Sequence, residues 1–277
     1  MIRHDLVYRD KDLSITRISI DVPIKALKSV NTYLLESRDE RLLVDTGMGT
    51  EPLKKYIDSY FKGVDKVFVT HFHIDHIGGA PEFLENDIDV LMSRGDIEDI
   101  LLLRKDPRKY ISHIKRIFIE GGAPRDLVRL MFAKHPGWWR LIESPYLDNI
   151  RGLDEGEVIR VGDIEARVIL TPGHTSNHAC LLIEDKGIIL VGDHILNDIT
   201  PNIPLIRWDI DPLRDYLSSL DKVLRLNPTK AFPAHRSIIN NVPSRISELI
   251  KHHGDRLNEV LDILREGMKT PMKSHLR

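Results

Sequence analysis

An α/β fold with its working residues at strand ends is predicted, and three observations carry the prediction. Short apolar runs of strand length are interspersed with stretches of helical periodicity. Four of those runs each deliver a His or an Asp at the carboxyl end, at His71, His174, Asp193 and His235. At the first, a buried strand over 66–70 gives way to a helix start over 80–85, with a polar cluster between them. Open α/β sheets place ligand sites off the carboxyl ends of strands in this manner.

Taken in order, positions 13–20 alternate with period two and read as a half-exposed strand. Runs at 31–35 and 41–45 flank a polar turn at 37–40, which is a hairpin signal. The second run ends in Asp45-Thr46-Gly47. A carboxylate there is expected to accept the outer N–H of a ligand histidine and orient its ring. Positions 51–61 read as an amphipathic helix with Leu53, Tyr56, Ile57 and Tyr60 on one face.

Next comes Thr70-His71-Phe72-His73-Ile74-Asp75-His76, with three imidazoles and one carboxylate in the six positions from His71 to His76. Neutral imidazole and carboxylate are preferred donors for zinc and similar divalent ions. His71 and His73 alternate on an extended stretch, so they can point the same way. Asp75 and His76 come where the chain begins to coil and project elsewhere. A single ion would struggle to take all four, whereas two adjacent ions could share them.

A strand is expected at 88–92. Positions 94–142 show no strand pattern and read as a helical insertion beside the site, with patterns such as Ile97-Leu101-Leu102 and Tyr110-Ile114-Ile117. Its many bases read mainly as a solvated face. Trp138 and Trp139, with Phe132 and Tyr146, are candidates to line a pocket for an apolar substrate.

Strands resume at 158–161 and 165–170, and the latter runs into Thr171-Pro172-Gly173-His174. Two more, at 179–183 and 188–191, flank a turn, and the second ends in Gly192-Asp193-His194. A run over 229–234 leads to His235. The donors then suffice for two ions. His71, His73 and His174 serve one; Asp75, His76 and His235 serve the other; Asp193, with two oxygens, bridges them. A hydroxide shared by the ions is the expected nucleophile. His178 is expected to support the site or the core, and His194, beside Asp193, to support the site, face substrate or simply pack. Cys180, mid-strand among apolar residues, reads as buried and inert. Leucine-rich helices are expected at 211–226 and about 244–266.

Composition narrows the class. The chain has 277 residues and 42% hydrophobic content, ample for a large core. Its net charge of −2 is not that of a nucleic-acid-binding protein. One cysteine excludes an internal disulfide. The start, Met1-Ile2-Arg3-His4-Asp5, lacks the apolar core of a signal peptide. No apolar run approaches the roughly eighteen residues of a membrane span. A cytoplasmic protein without a membrane or nucleic-acid partner is expected, acting on a small molecule. Residues 1–277 are expected to form a single domain; the oligomeric state stays open.

The motifs Asp45-Thr46-Gly47, His71-Phe72-His73-Ile74-Asp75-His76, Thr171-Pro172-Gly173-His174-Thr175, Gly192-Asp193-His194 and Pro233-Ala234-His235 together resemble the metallo-β-lactamase superfamily, in its order along the chain. The resemblance implies an αββα sandwich of two mixed sheets flanked by helices, with two divalent ions, zinc first and iron or manganese next. It also implies the ligand roles given above, with Asp75 and Asp193 in the catalytic centre. The chain looks most like glyoxalase II-like thioesterases. The superfamily's true β-lactamases lack the bridging Asp and are exported, so Asp193 and the N-terminus argue against antibiotic hydrolysis. A hydrolase of thioesters or lactones is the expected activity. The alternatives are a mononuclear iron enzyme like the persulfide dioxygenases, and a phosphodiesterase or nuclease.

Overall fold

The computed structural model describes residues 1–22, 28–50, 52–131, 141–205 and 209–265. Twelve strands lie in two sheets. The larger runs β1 (Ile2–Arg9), β2 (Ser14–Asp21), β3 (Ser29–Ser37), β4 (Glu40–Val44), β5 (Lys66–Val69), β6 (Asp89–Ser93) and β7 (Arg151–Leu153), in that spatial order. The smaller contains β8 (Val158–Val161), β9 (Ile164–Leu170), β10 (Ala179–Ile183), β11 (Ile188–Gly192) and β12 (Lys230–Pro233), in the reverse order in space. Both are mixed. Strands β1 to β4 pair antiparallel and β4 to β7 parallel. In the smaller sheet only β11 and β12 run parallel.

The described helices are α1 (Leu53–Phe61), α2 (Ile74–Ile77), α3 (Ala80–Leu84), α4 (Arg94–Lys105), α5 (Pro107–Glu120), α6 (Arg125–Met131), α7 (Pro212–Leu226) and α8 (Val242–Arg265). Local chemistry sets several starts. Asp106 and Asp211 accept the N–H groups of Lys109 and Arg214, with Pro107 and Pro212 next in the chain. Proline in the first helical turn loses no hydrogen bond.

Adjacent apolar residues on one strand point to opposite faces, and this builds four layers. Leu35, Leu42 and Phe68 pack between the sheets against Val168, Leu190 and Phe232. Their neighbours Leu34, Leu43, Val67 and Val69 face outward under Leu53, Ile57, Phe83 and Ile100 of the helices. On the far side, Leu182, Ile189 and Val191 meet Tyr216, Leu220, Val223, Ile246 and Leu249 of α7 and α8. The result is the αββα sandwich. No helix among the described residues is long and apolar enough to cross a membrane.

Several expectations change. Strand β1 gives no sequence signal because an edge strand with one neighbour keeps a polar pattern, and its side chains are mostly exposed. Strand β7 is only three residues long. Tyr60 and Leu102, expected on buried faces, are 63% and 60% exposed. On α4 the buried apolar positions are instead Ile100 and Leu103. Helix α8 leaves the core after Leu249, so Leu257, Leu261 and Leu264 stand exposed. Trp138, Trp139 and Phe132 lie outside the described residues; Tyr146 is exposed.

Candidate metal centre

The carboxyl ends of β4, β5, β9, β11 and β12 meet at one border of the sandwich. Backbone bonds join the two sheets there: Ala179 N–H donates to Thr70 O at 2.9 Å and Asn31 N–H to Ala234 O at 2.6 Å. Glycine is needed at position 192, which has φ +47°. A Cβ there would lie 2.6 Å from Thr70 Oγ1 and 2.7 Å from His178 Nε2.

All seven residues predicted as ligands come together at this border. Three overlapping groups have donor atoms within 4.8 Å of one another: His71, His73 and His174; His71, His76 and Asp193; Asp75, His76 and His235. His174 Nε2 lies 2.9 Å from His73 Nδ1. Asp193 spans both halves. Its Oδ2 is 3.5 Å from His174 Nε2, and its Oδ1 is 3.5 Å from His235 Nε2 and 3.7 Å from His76 Nε2. Asp75 Oδ2 lies 3.3 Å from His235 Nε2.

The outer ring nitrogens explain why the inner ones are free. His76 Nδ1 lies 2.8 Å from Asp45 Oδ2. His174 Nδ1 donates to Asn202 O at 2.6 Å and His235 Nδ1 to Ser29 O at 2.8 Å. The Thr70 hydroxyl donates to Asp45 at 3.0 Å, leaving its oxygen to accept from His71 Nδ1 at 3.1 Å. A proton fixed on Nδ1 leaves a lone pair on Nε2. Accordingly His71 Nε2, His76 Nε2, His235 Nε2 and Asp193 Oδ1 are buried without hydrogen-bond partners. Buried polar atoms are rarely left so; four converging on one point fit a cation.

Charge points the same way. Burial and neighbouring imidazoles hold His71 well below its usual range, and burial with His174 brings His73 down to about 3. Burial opposes a charge on His76, yet Asp45, Asp75 and Asp193 raise it to about 10. Burial likewise opposes ionisation of Asp75 and Asp193, but His76 and His235 pull both below the carboxylate norm. His71 and His73 are thus neutral donors, while the three carboxylates around His76 gather negative charge that a divalent ion would balance.

Asp45 stands where a ligand-orienting carboxylate is expected, and its backbone is left-handed at φ +65°. Such strain in a non-glycine residue clusters at functional sites. His178 sits beneath the cluster; its Nε2 accepts the Asp193 N–H at 3.3 Å and its Nδ1 meets Thr171 Oγ1 at 2.8 Å. Of the alternatives for His194, packing fits: it is fully buried, with its ring 5.3 Å from that of Tyr216 on α7, under the helical layer. The chain turns at Gly192, and successive side chains there diverge.

Asp96 is the residue that sequence reasoning misses. It is fully buried and accepts the Phe72 N–H at 3.0 Å and the Thr175 hydroxyl at 3.3 Å. Burial and Asp99 push its carboxyl well above the usual range. The available signal, Ser93-Arg94-Gly95-Asp96, reads as a plain helix cap. The cap is present, with Ser93 Oγ accepting the Asp96 N–H, but the carboxylate reaches the histidine loops instead.

A four-layer sandwich with a buried His and Asp cluster at its strand ends defines a metal-binding hydrolase as the class. Comparison with known proteins specifies the family. Residues 27–235 match the description of the metallo-β-lactamase superfamily. The crystal structure of a metallo-β-lactamase family protein from Thermus thermophilus is 30% identical, with a TM-score of 0.79 over 92% of this chain and 84% of that one. A β-lactamase-like protein 2 homolog from Caenorhabditis elegans is 27% identical over 87% of this chain and 67% of its own length. An atrochrysone carboxyl ACP thioesterase from Aspergillus fumigatus is 26% identical over 85% of this chain, which spans 59% of that protein. The chain belongs to the metallo-β-lactamase superfamily and is a hydrolase of that fold.

Proposed function

We propose that the chain is a binuclear metallohydrolase acting on a small carbonyl substrate of the ester type, with thioesters or lactones favoured. One observation carries the reading: Asp193 turns one carboxylate oxygen towards each of two buried donor groups. In this reading His71, His73 and His174 hold the first ion, Asp75, His76 and His235 hold the second, and Asp193 holds both. Zinc is the proposed ion, though the same donors accept iron and manganese.

Bound divalent ions supply water acidic enough to ionise near neutral pH and an electrophile for the carbonyl oxygen. The chain's own groups do the rest. Asp45, Thr70, Asn202 and Ser29 fix the outer ring nitrogens, so the inner lone pairs keep their aim without reorganisation. Asp75, 3.3 Å from His235 Nε2, is assigned the proton transfer: its carboxylate would accept the proton given up by the attacking water and pass it to the leaving thiolate or alkoxide. The thioesterase named among the relatives supports the thioester preference, as does the resemblance to glyoxalase II-like enzymes. We further infer one domain, a cytoplasmic setting, no nucleic-acid partner, and a specificity role for the helical stretch that begins at position 94.

Metal analysis with a panel of thioesters, lactones and phosphodiesters tests this. Two ions per chain with thioester or lactone turnover are expected, and Asp193→Ala or His73→Ala should abolish turnover. Full turnover after chelation and dialysis refutes it. One iron with oxygen uptake points to the dioxygenase reading, and phosphodiester cleavage to the nuclease reading.

A further inference from the structure

Asp45 braces both halves of the centre, His76 directly and His71 through Thr70, but other supports serve one half alone. His76 leans on Asp45 at 2.8 Å and His235 on Ser29 O at 2.8 Å. Asp96 touches neither of those histidines. Its carboxylate accepts the N–H of Phe72, which lies between His71 and His73, and the hydroxyl of Thr175, which follows His174. One buried group on α4 is thus bonded next to every member of the His71–His73–His174 triad. Helix α4 sits directly on the 174–177 loop: a Cβ at Gly95 would lie 2.2 Å from the Asn177 side chain.

We propose that Asp96 is a positioning residue that sets the affinity of the His71–His73–His174 triad for its ion, independently of the other half. This rests on the two-ion reading above. The carboxylate fixes the separation of two loops, one 24 positions before it at Phe72 and the other 79 positions after it at Thr175. An asparagine there keeps one acceptor but turns an amide N–H₂ towards its other donors. The triad then loosens, while Asp45 and Ser29 still hold the second half.

The test is zinc titration of the full chain against a chromophoric chelator, with cobalt(II) absorption as the spectroscopic readout. Wild type is expected to take two equivalents. Asp96→Asn should weaken one equivalent by about 10–100-fold, the range for groups that support metal ligands, and leave the other unchanged. Its cobalt spectrum should change for that equivalent alone. Equal weakening of both equivalents, or of neither, overturns the proposal. A wild-type chain that takes up no second ion overturns the two-ion reading itself. If Asp96→Asn does not fold, Thr175→Val carries the test: a smaller loss at one equivalent is expected, and no loss refutes the proposal.

Discussion

Gly192→Ala puts the border between the sheets under a measurable load. The backbone at this position is left-handed, with φ +47°. That conformation costs a residue with a Cβ about 1–2 kcal/mol. The new methyl would also meet Thr70 Oγ1 at 2.6 Å, His178 Nε2 at 2.7 Å and Thr70 Cβ at 2.8 Å. None of these can retreat freely, because Thr70 is bonded to Asp45 and His178 to Thr171. Forced overpacking of this kind costs about 1–3 kcal/mol. The sum is about 2–5 kcal/mol, and at about 2 °C per kcal/mol for a chain of this size the melting temperature should fall by about 4–10 °C. Gly156→Ala is the control, since Gly156 has φ +83° and nothing within 4 Å of where the methyl would stand. It should show the backbone cost alone. Thermal melts followed by circular dichroism read both variants. Equal shifts for the two, or no shift for Gly192→Ala, would refute the steric reasoning.

Further outcomes follow from other contacts. Asp45→Asn keeps the size of the side chain but turns an N–H₂ towards His76 Nδ1 or Thr70, which carry His76 and His71 of the two halves; both zinc equivalents should weaken, by about 10–100-fold at the more affected one, in a chelator competition. Stripping the metal should lower the melting temperature, because an ion present at 100 times its Kd adds about 2.7 kcal/mol of stability; identical calorimetric melts before and after chelation would contradict this. Asp10 bonds Lys186 at 2.9 Å, which holds its carboxyl below the usual carboxylate value. A depressed folded-state pKa gives stability that is present above about pH 4 and lost as pH falls further. Lys186→Met should therefore flatten the acid side of a urea-denaturation profile below that pH, and an unchanged acid slope would count against the pair.

Much of the site is legible in the sequence because the signal is local. An apolar run followed by His or Asp marks a strand end, and all seven proposed ligands carry that mark or lie within a few residues of one. Asp45 is legible for the same reason. Asp96 is not, since its partners Phe72 and Thr175 are distant in sequence and its own surroundings look like a helix cap. His194 stays open between packing and substrate contact for a related reason: adjacency to Asp193 says nothing about direction where the backbone turns. In the fold, strands with neighbours on both sides announce themselves by apolar runs, whereas the edge strand β1 does not. Leucine spacing finds α8 but cannot say where its packing partner ends, at Leu249.

The sheet border has a consequence for how the molecule comes apart. The larger sheet supplies His71, His73, Asp75 and His76, and the smaller one His174, Asp193 and His235. A cation shared among them acts as a rivet through both layers, so neither sheet can melt while the rivet stays in. The loaded chain should then unfold in a single cooperative step. With the rivet withdrawn, the two halves keep their apolar interface and scattered polar links such as Asp10–Lys186 and Tyr33–Pro233, and a broader or two-stage transition should emerge.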